Sequence, residues 1–291
     1  MKPAPFEYHS PATVHEAVGL LQKLENDGID AKILAGGQSL IPMLALRVAR
    51  PEALIDIGKL KDLDYIRDEG NVIAIGAMTS KHAAGISELI EKKQPLFHAG
   101  TQLVGHRQIR NRGSVGGSFA HADPASEYPA LAVLLDMQMK AVGPDGERLI
   151  PAADFFVTYM TTSLETNEIL TEVRMPVMTP GTGWAIQETS RRNGDLALAG
   201  VALTLRVDGN ACRDVRIVGF GVNPTAVRLT AAEQSLEGKA PTPENFAAAA
   251  ATGAQGLDEP MSCIHATADY RRQLIKTHVK RCLAKAVERI R

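Results

Sequence analysis

The chain is short of cysteines, of aromatic residues and of any charge excess, and each shortage narrows what it can be. Its three cysteines, Cys212, Cys263 and Cys282, lie far apart and form no CxxC pair. A zinc site or an iron–sulfur cluster held by this chain alone is therefore not expected. An odd count with no disulfide framework points to a reducing compartment. Basic residues number 32 against 33 acidic ones, a formal charge of −1, so no net pull toward nucleic acid or an anionic membrane follows. No apolar run approaches the ~20 residues of a bilayer span. The opening Met1-Lys2-Pro3-Ala4-Pro5-Phe6 lacks the regions of a signal peptide. A cytoplasmic location with no membrane span is the expectation. No GxGxxG follows a strand and there is no P-loop, so any dinucleotide is held by an architecture other than the Rossmann fold. The eight histidines lack ligand spacing, and no catalytic triad or carboxylate pair can be argued from spacing.

What is present is an ordinary globular composition, 45% hydrophobic with aromatics at only 4%, so the core must rest on Ala, Val, Leu and Ile. A length of 291 residues suits two or three packed units. Ser10-Pro11 is a good helix start, with Thr13 and Glu16 a competing capping box. Val14, Ala17, Val18, Leu21 and Leu24 then repeat at helical spacing. Strands are predicted over 31–34, 53–57, 72–75, 137–142 and 168–175, and helices over 79–90 and 95–104. A linker composition follows around Thr179-Pro180-Gly181-Thr182-Gly183. Beyond it, 184–191, 201–207 and 215–221 read as an antiparallel meander with a hairpin turn at Asp208-Gly209-Asn210. Two helices close the chain, one opened by Thr242-Pro243 and a long one over 269–290. The order of elements indicates an α+β fold.

Two glycine-rich segments carry the chemistry: Ala35-Gly36-Gly37-Gln38-Ser39, directly after a strand, and Gly113-Ser114-Val115-Gly116-Gly117-Ser118. Paired glycines let successive backbone N–H groups approach an anion, and a pyrophosphate needs many donors at once. Each segment read alone is equally well a tight turn. Asp123 and Glu127 follow the second segment, where a carboxylate could accept from a ribose hydroxyl. Asp123-Pro124 also reads as a helix cap followed by the first helical proline. The loop Ser190 to Asp195 and the basic run from His106 to Arg112 read first as an exposed turn and a solvated face.

Ala35-Gly36-Gly37-Gln38-Ser39-Leu40-Ile41-Pro42 together with Arg110-Asn111-Arg112-Gly113-Ser114-Val115-Gly116-Gly117-Ser118-Phe119-Ala120-His121-Ala122-Asp123-Pro124 resembles the medium, flavin-binding subunits of molybdenum hydroxylases of the xanthine dehydrogenase type. The resemblance extends over essentially the whole chain. It implies an oxidoreductase subunit of PCMH-type FAD-binding fold: two N-terminal α/β subdomains, about 1–57 and 58–178, then a C-terminal domain, 179–291, of a three-strand antiparallel sheet with helices. It also implies non-covalent FAD whose pyrophosphate is wrapped by Ala35, Gly36, Gly37, Gln38, Ser39 and Leu40 and by Ser114, Val115, Gly116, Gly117 and Ser118. On the same matching Asp123 or Glu127 meets the ribose side, Leu170 lies against the isoalloxazine ring and Asp195 sits in the loop flanking the flavin. Leu196 stands where relatives place Tyr, and Val104 near a position that is aromatic in xanthine dehydrogenases. The implied partners are a small [2Fe-2S] subunit and a large molybdopterin subunit, assembled as a dimer of heterotrimers. Electrons would pass from the iron–sulfur subunit through FAD to an external acceptor, with no catalytic proton-transfer residue in this chain. The rival readings are a stand-alone flavin oxidoreductase and an interaction protein of the same fold that has lost FAD.

Overall fold

The computed structural model describes residues 1–290, and the first 56 of them form a small α/β unit. Strands β1 (Glu7–His9), β2 (Ala31–Leu34) and β3 (Ala53–Asp56) form a parallel sheet in the order β1-β3-β2. Parallel strands need a crossover, and α1 (Val14–Asn26) carries the chain from β1 past the place of β3 to β2, burying Ala17, Val18, Leu21 and Leu24. Of the two predicted starts for α1, the capping box is the one used. Thr13 accepts from the Glu16 N–H at 3.1 Å, and the Glu16 carboxylate takes the Ala12 N–H at 2.7 Å. Ser10-Pro11 therefore lies outside the helix. A short helix, α2 (Leu40–Ala45), connects β2 to β3.

The second sheet is antiparallel, with β4 (Ile66–Asp68), β5 (Val72–Gly76), β6 (Gln138–Gly143), β7 (Gly146–Pro151) and β10 (Ile169–Pro176) in the order β4-β5-β10-β6-β7. Between β7 and β10 come α9 (Ala152–Phe155) and the small ribbon β8 (Phe156–Thr158) and β9 (Thr161–Thr162). Between β5 and β6 run α3 (Lys81–Gly85), α4 (Glu88–Lys93), α5 (Pro95–Leu103), α6 (Arg107–Arg112), α7 (Val115–His121) and α8 (Glu127–Leu134). The single helix predicted over 79–90 is two helices, because two serines each start one. Ser80 accepts from the Ala83 N–H at 3.0 Å and Ser87 from the Ile90 N–H at 3.4 Å. Tyr128 lies at the centre of this core, stacked on Phe97 and Phe119 at 4.8 and 5.3 Å between centroids.

The third sheet is the predicted meander, β11 (Gly183–Thr189), β12 (Ala199–Asp208) and β13 (Ala211–Phe220), extended by a two-residue fourth strand, β14 (Val227–Arg228). Gly209, at φ +58°, makes the turn between β12 and β13. After α10 (Thr230–Leu236), the helices α11 (Pro243–Gln255) and α12 (Ala268–Glu288) cover one face of this sheet. Val201, Leu203, Leu205 and Ile217 meet Ile275, Val279, Cys282 and Ala286 there. The opposite face is also buried: Ala202, Val218 and Phe220 join the core around Tyr128. Alternate residues of one strand thus serve two cores, which is why β12 reads as a continuous apolar run. No helix among the described residues is long and apolar enough to cross a membrane.

Candidate functional site

The first glycine segment leaves β2 and turns before α2, and it is a run of unengaged donors. None of the backbone N–H groups from Ala35 to Leu40 donates to an acceptor among the described residues. Gly37 has φ +72°, the left-handed region that favours glycine. Gly36 is required by contact: a Cβ there would overlap the carbonyl oxygen of Arg112 and stand 2.8 Å from the Ser114 nitrogen. The two segments, about 75 residues apart in the chain, are therefore pressed backbone to backbone. Gln38 holds the turn through a bond from its Nε2 to the Gly36 carbonyl, 3.2 Å.

The second segment differs from its reading as a loop. Ser114 is the N-cap of α7, accepting from the Gly117 N–H at 3.2 Å, and Val115 to Ser118 are its first turn. Most of its amides are already spent. Val115 N–H donates to Thr79 O at 2.8 Å, Gly116 N–H to Ala77 O at 2.9 Å and Ser118 N–H to Ser114 O at 3.3 Å. Its glycines serve close packing, since a Cβ on Gly116 would overlap that of Ala77, and one on Gly117 would come within 2.6 Å of Ser114 Oγ. The unengaged amides thus lie chiefly in the first segment, which the second braces.

Two cavities flank the junction. One, of about 730 Å³, is lined by Ala35, Gly36, Gly37 and Gln38 with Asp56, Lys61, Asn111 and Arg112. The other, of about 700 Å³, is lined by Ala35, Gly116 and Gly117 and by the apolar Ile33, Leu164, Ile169 and Leu170. Ala35 belongs to both, so a ligand anchored on the loop can reach either side.

The remaining predicted residues fall in different places. Asp123 is buried but caps no helix: its Oδ1 accepts from the Ala125 N–H at 2.9 Å, and α8 starts only after Ser126. Glu127 opens α8 and is buried, and that burial raises its pKa while the nearby Lys81 pulls it back. Asp195 stands in the loop after β11, accepting from Arg192 Nε at 3.2 Å. Gly194, at φ +84°, closes that loop onto His106: a Cβ on it would lie 2.7 Å from the imidazole. Leu170 lines the second cavity, and Asp195 lines neither of the two. Leu196 is exposed, and Val104 is buried in the core around Tyr128. In the basic run, Arg110 is structural, its Nη1 donating to the Val104 and Gly105 carbonyls, both at 3.0 Å.

Two residues that sequence reasoning missed stand beside Glu127. Lys81, the first residue of α3, is only 9% exposed, and desolvation pulls its pKa down to about 8, opposed by the charge of Glu127. Glu188 on β11 has its pKa raised to about 8 by burial and by Glu127, and its Oε2 finds no hydrogen-bond partner. His121, at the end of α7, is held below the ordinary histidine range by burial. Along α7, Ser114, Ser118 and His121 follow at helical spacing, so one polar stripe leads from the glycine junction toward Asp123 and Lys81. Nothing local marks Lys81 or Glu188: one reads as a helix start, the other as an ordinary strand residue.

These features fit a flavin dinucleotide: unengaged amides for a pyrophosphate, and space on both sides for its two ends. Residues 4–178 match the family model for the FAD binding domain in molybdopterin dehydrogenase, and 184–286 that for the CO dehydrogenase flavoprotein C-terminal domain. The chain is similar to the carbon monoxide dehydrogenase medium chain of Hydrogenophaga pseudoflava, 43% identical over 97% of each. It is also similar to the nicotine 6-hydroxylase medium subunit of Paenarthrobacter nicotinovorans, 37% identical over 98% of this chain and 99% of the relative. Among solved structures, carbon monoxide dehydrogenase from Hydrogenophaga pseudoflava superposes with a TM-score of 0.94 at 42% identity, covering 99% of both chains. Quinoline 2-oxidoreductase from Pseudomonas putida 86 gives 0.93 at 34% identity, over 100% of this chain and 99% of that one. With both halves matched, the chain belongs to the FAD-binding medium subunits of the molybdenum hydroxylases, oxidoreductases of the carbon monoxide and xanthine dehydrogenase type.

Proposed function

We propose that this chain holds one non-covalent FAD across the junction of its two glycine segments and relays electrons from a [2Fe-2S] subunit to an external acceptor. The observation that carries the placement is the run of unengaged N–H groups from Ala35 to Leu40. The pyrophosphate lies on these amides, with Ser39 and Ser118 adding hydroxyls, while Ser114 to Gly117 brace the loop from behind. The adenosine half takes the cavity with Ile33, Ile169 and Leu170, whose apolar walls suit a flat base. The isoalloxazine ring extends away from that cavity, along the α7 stripe toward Asp123, Glu127 and the loop bearing Asp195. This placement moves Leu170 from the ring to the adenosine half. Residues 1–178 provide the cradle, and 179–291 close it through the 190–195 loop.

Bound FAD supplies the redox chemistry, accepting electrons singly or in pairs. The residues of this chain bind and orient it: the amides hold the phosphates, Asp123 and Glu127 meet ribityl hydroxyls, and the 190–195 loop covers the ring. Substrate oxidation belongs to a large molybdopterin subunit, with the complex a dimer of heterotrimers located in the cytoplasm. Acid precipitation of the purified chain should release one FAD per chain into the supernatant. Finding FMN instead, or colour retained on the denatured chain, would refute this placement.

A further inference from the structure

Lys81 is a largely buried residue whose ammonium, at the solvent edge of that burial, has no counter-charge in contact. Its stem runs along Gly113, with Cδ 3.6 Å from where a Cβ on that glycine would lie, and its backbone N–H is fixed to the Gly113 carbonyl at 2.8 Å. Its ammonium stands 5.3 Å from the centre of the Tyr128 ring. It makes no hydrogen bond and no ion pair with any described residue, although it feels the charges of Glu127 and His121. Removing an ammonium from water is costly unless a partner satisfies it, and a face-on aromatic ring returns only part of that cost. The Tyr128 ring cannot move aside, since it is fully buried between Phe97 and Phe119. The one carboxylate whose charge reaches it, Glu127, makes no hydrogen bond or ion pair with it, and burial raises the pKa of that carboxyl. An ammonium with no partner in contact thus stands near the end of the polar stripe that starts on the glycine junction.

We propose that Lys81 is a positioning and charge-compensating residue for bound FAD, its ammonium donating to the pyrimidine edge of the isoalloxazine ring at N1 and the C2 oxygen. This rests on the FAD placement above. The pyrimidine edge is where added electron density on the ring is concentrated, so a fixed cation there stabilises the reduced cofactor more than the oxidised one.

The test uses the full chain, stripped of flavin and reconstituted with FAD, as wild type, Lys81→Met and Lys81→Arg. Methionine keeps the length and apolar stem and removes only the charge. Apo Lys81→Met is expected to melt no lower than apo wild type, since an uncompensated buried charge has gone. Its FAD affinity should fall at least tenfold, measured by quenching of flavin fluorescence. Its flavin midpoint potential should move negative, by about 30 mV for each tenfold greater loss of affinity for reduced than for oxidised FAD. Lys81→Arg should recover part of both. Unchanged affinity and potential in Lys81→Met would overturn the proposal. So would weaker binding with an unshifted potential, which places the ammonium on the pyrophosphate, and so would a lower apo Tm, which makes it a structural partner of Glu127. If wild type itself takes up no FAD, the cofactor placement fails first and the proposal with it.

Discussion

At the residue scale, the glycines of the junction differ in what they can tolerate. Gly36 has backbone on the far side of its missing Cβ, which cannot give way as a side-chain tip can. Gly36→Ala should cost about 1–3 kcal/mol of stability by urea denaturation and separate the two segments, so FAD release should accelerate as well. An unchanged urea midpoint would mean that the segments are not in contact. Glu188 offers a pH test. Its pKa is raised in the folded chain to about 8 from the ordinary 4.5, so the folded state holds a proton that the unfolded chain gives up. The associated stability is complete below 4.5 and is lost as pH rises toward 8. Lys81 works in the opposite sense, lowered from 10.5 to about 8, and its cost to the fold is relieved as pH rises through that interval. Apo stability should therefore decline between about pH 4.5 and 8 and partly recover above it, and Glu188→Gln should flatten the decline. A variant with the same slope as wild type would show that Glu188 is ionised in the folded chain. The glycines were legible in the sequence because backbone chemistry singles them out. Lys81 and Glu188 were not, because their significance comes from burial near Glu127, which is distant from both in the chain.

At the element scale, α7 is held to the turn after β5 by the bonds from Val115 and Gly116 to Thr79 and Ala77. A valine at Gly116 would meet Ala77 rather than the ligand. Gly116→Val is therefore expected to lower the Tm of the apo and FAD-loaded chains by similar amounts. A Tm loss confined to the loaded chain would restore the reading of this segment as a direct ligand loop. The sequence could not separate the two, because a glycine-rich run serves equally as turn or helix start, and its amide partners lie some 40 residues earlier. Elements with a strong period were read well: α1, β2 and α12 carry their apolar faces where the spacing put them. The edge strands β4 and β7 carry many exposed residues and gave no such pattern. The Thr79–Ile90 pattern was continuous in polarity, yet two serine caps cut it in two.

At the scale of the whole molecule, the relay reading demands partners. Isolated chain loaded with FAD should stay oxidised when mixed anaerobically with organic substrates of molybdenum hydroxylases. In the assembled complex, iron–sulfur and flavin absorbance should bleach together. Flavin reduction by such a substrate in the isolated chain would favour the stand-alone oxidoreductase. Family and cofactor were legible at this scale from two motifs. The sharing of cores was not, because it depends on which face of β12 and β13 meets which layer.

That sharing bears on how such a chain can change by descent. The family models divide it between residues 178 and 184, which suggests two modules free to be exchanged. Yet Ala202, Val218 and Phe220 fill the core of the first module from the second, and the tip of the Phe220 ring meets Gly200 with no room for a Cβ. A C-terminal half borrowed from a distant relative would bring side chains shaped for another host. Recombination at this seam should thus yield folded offspring only between close parents, or together with matching changes around Tyr128, so the two halves are inherited as one unit.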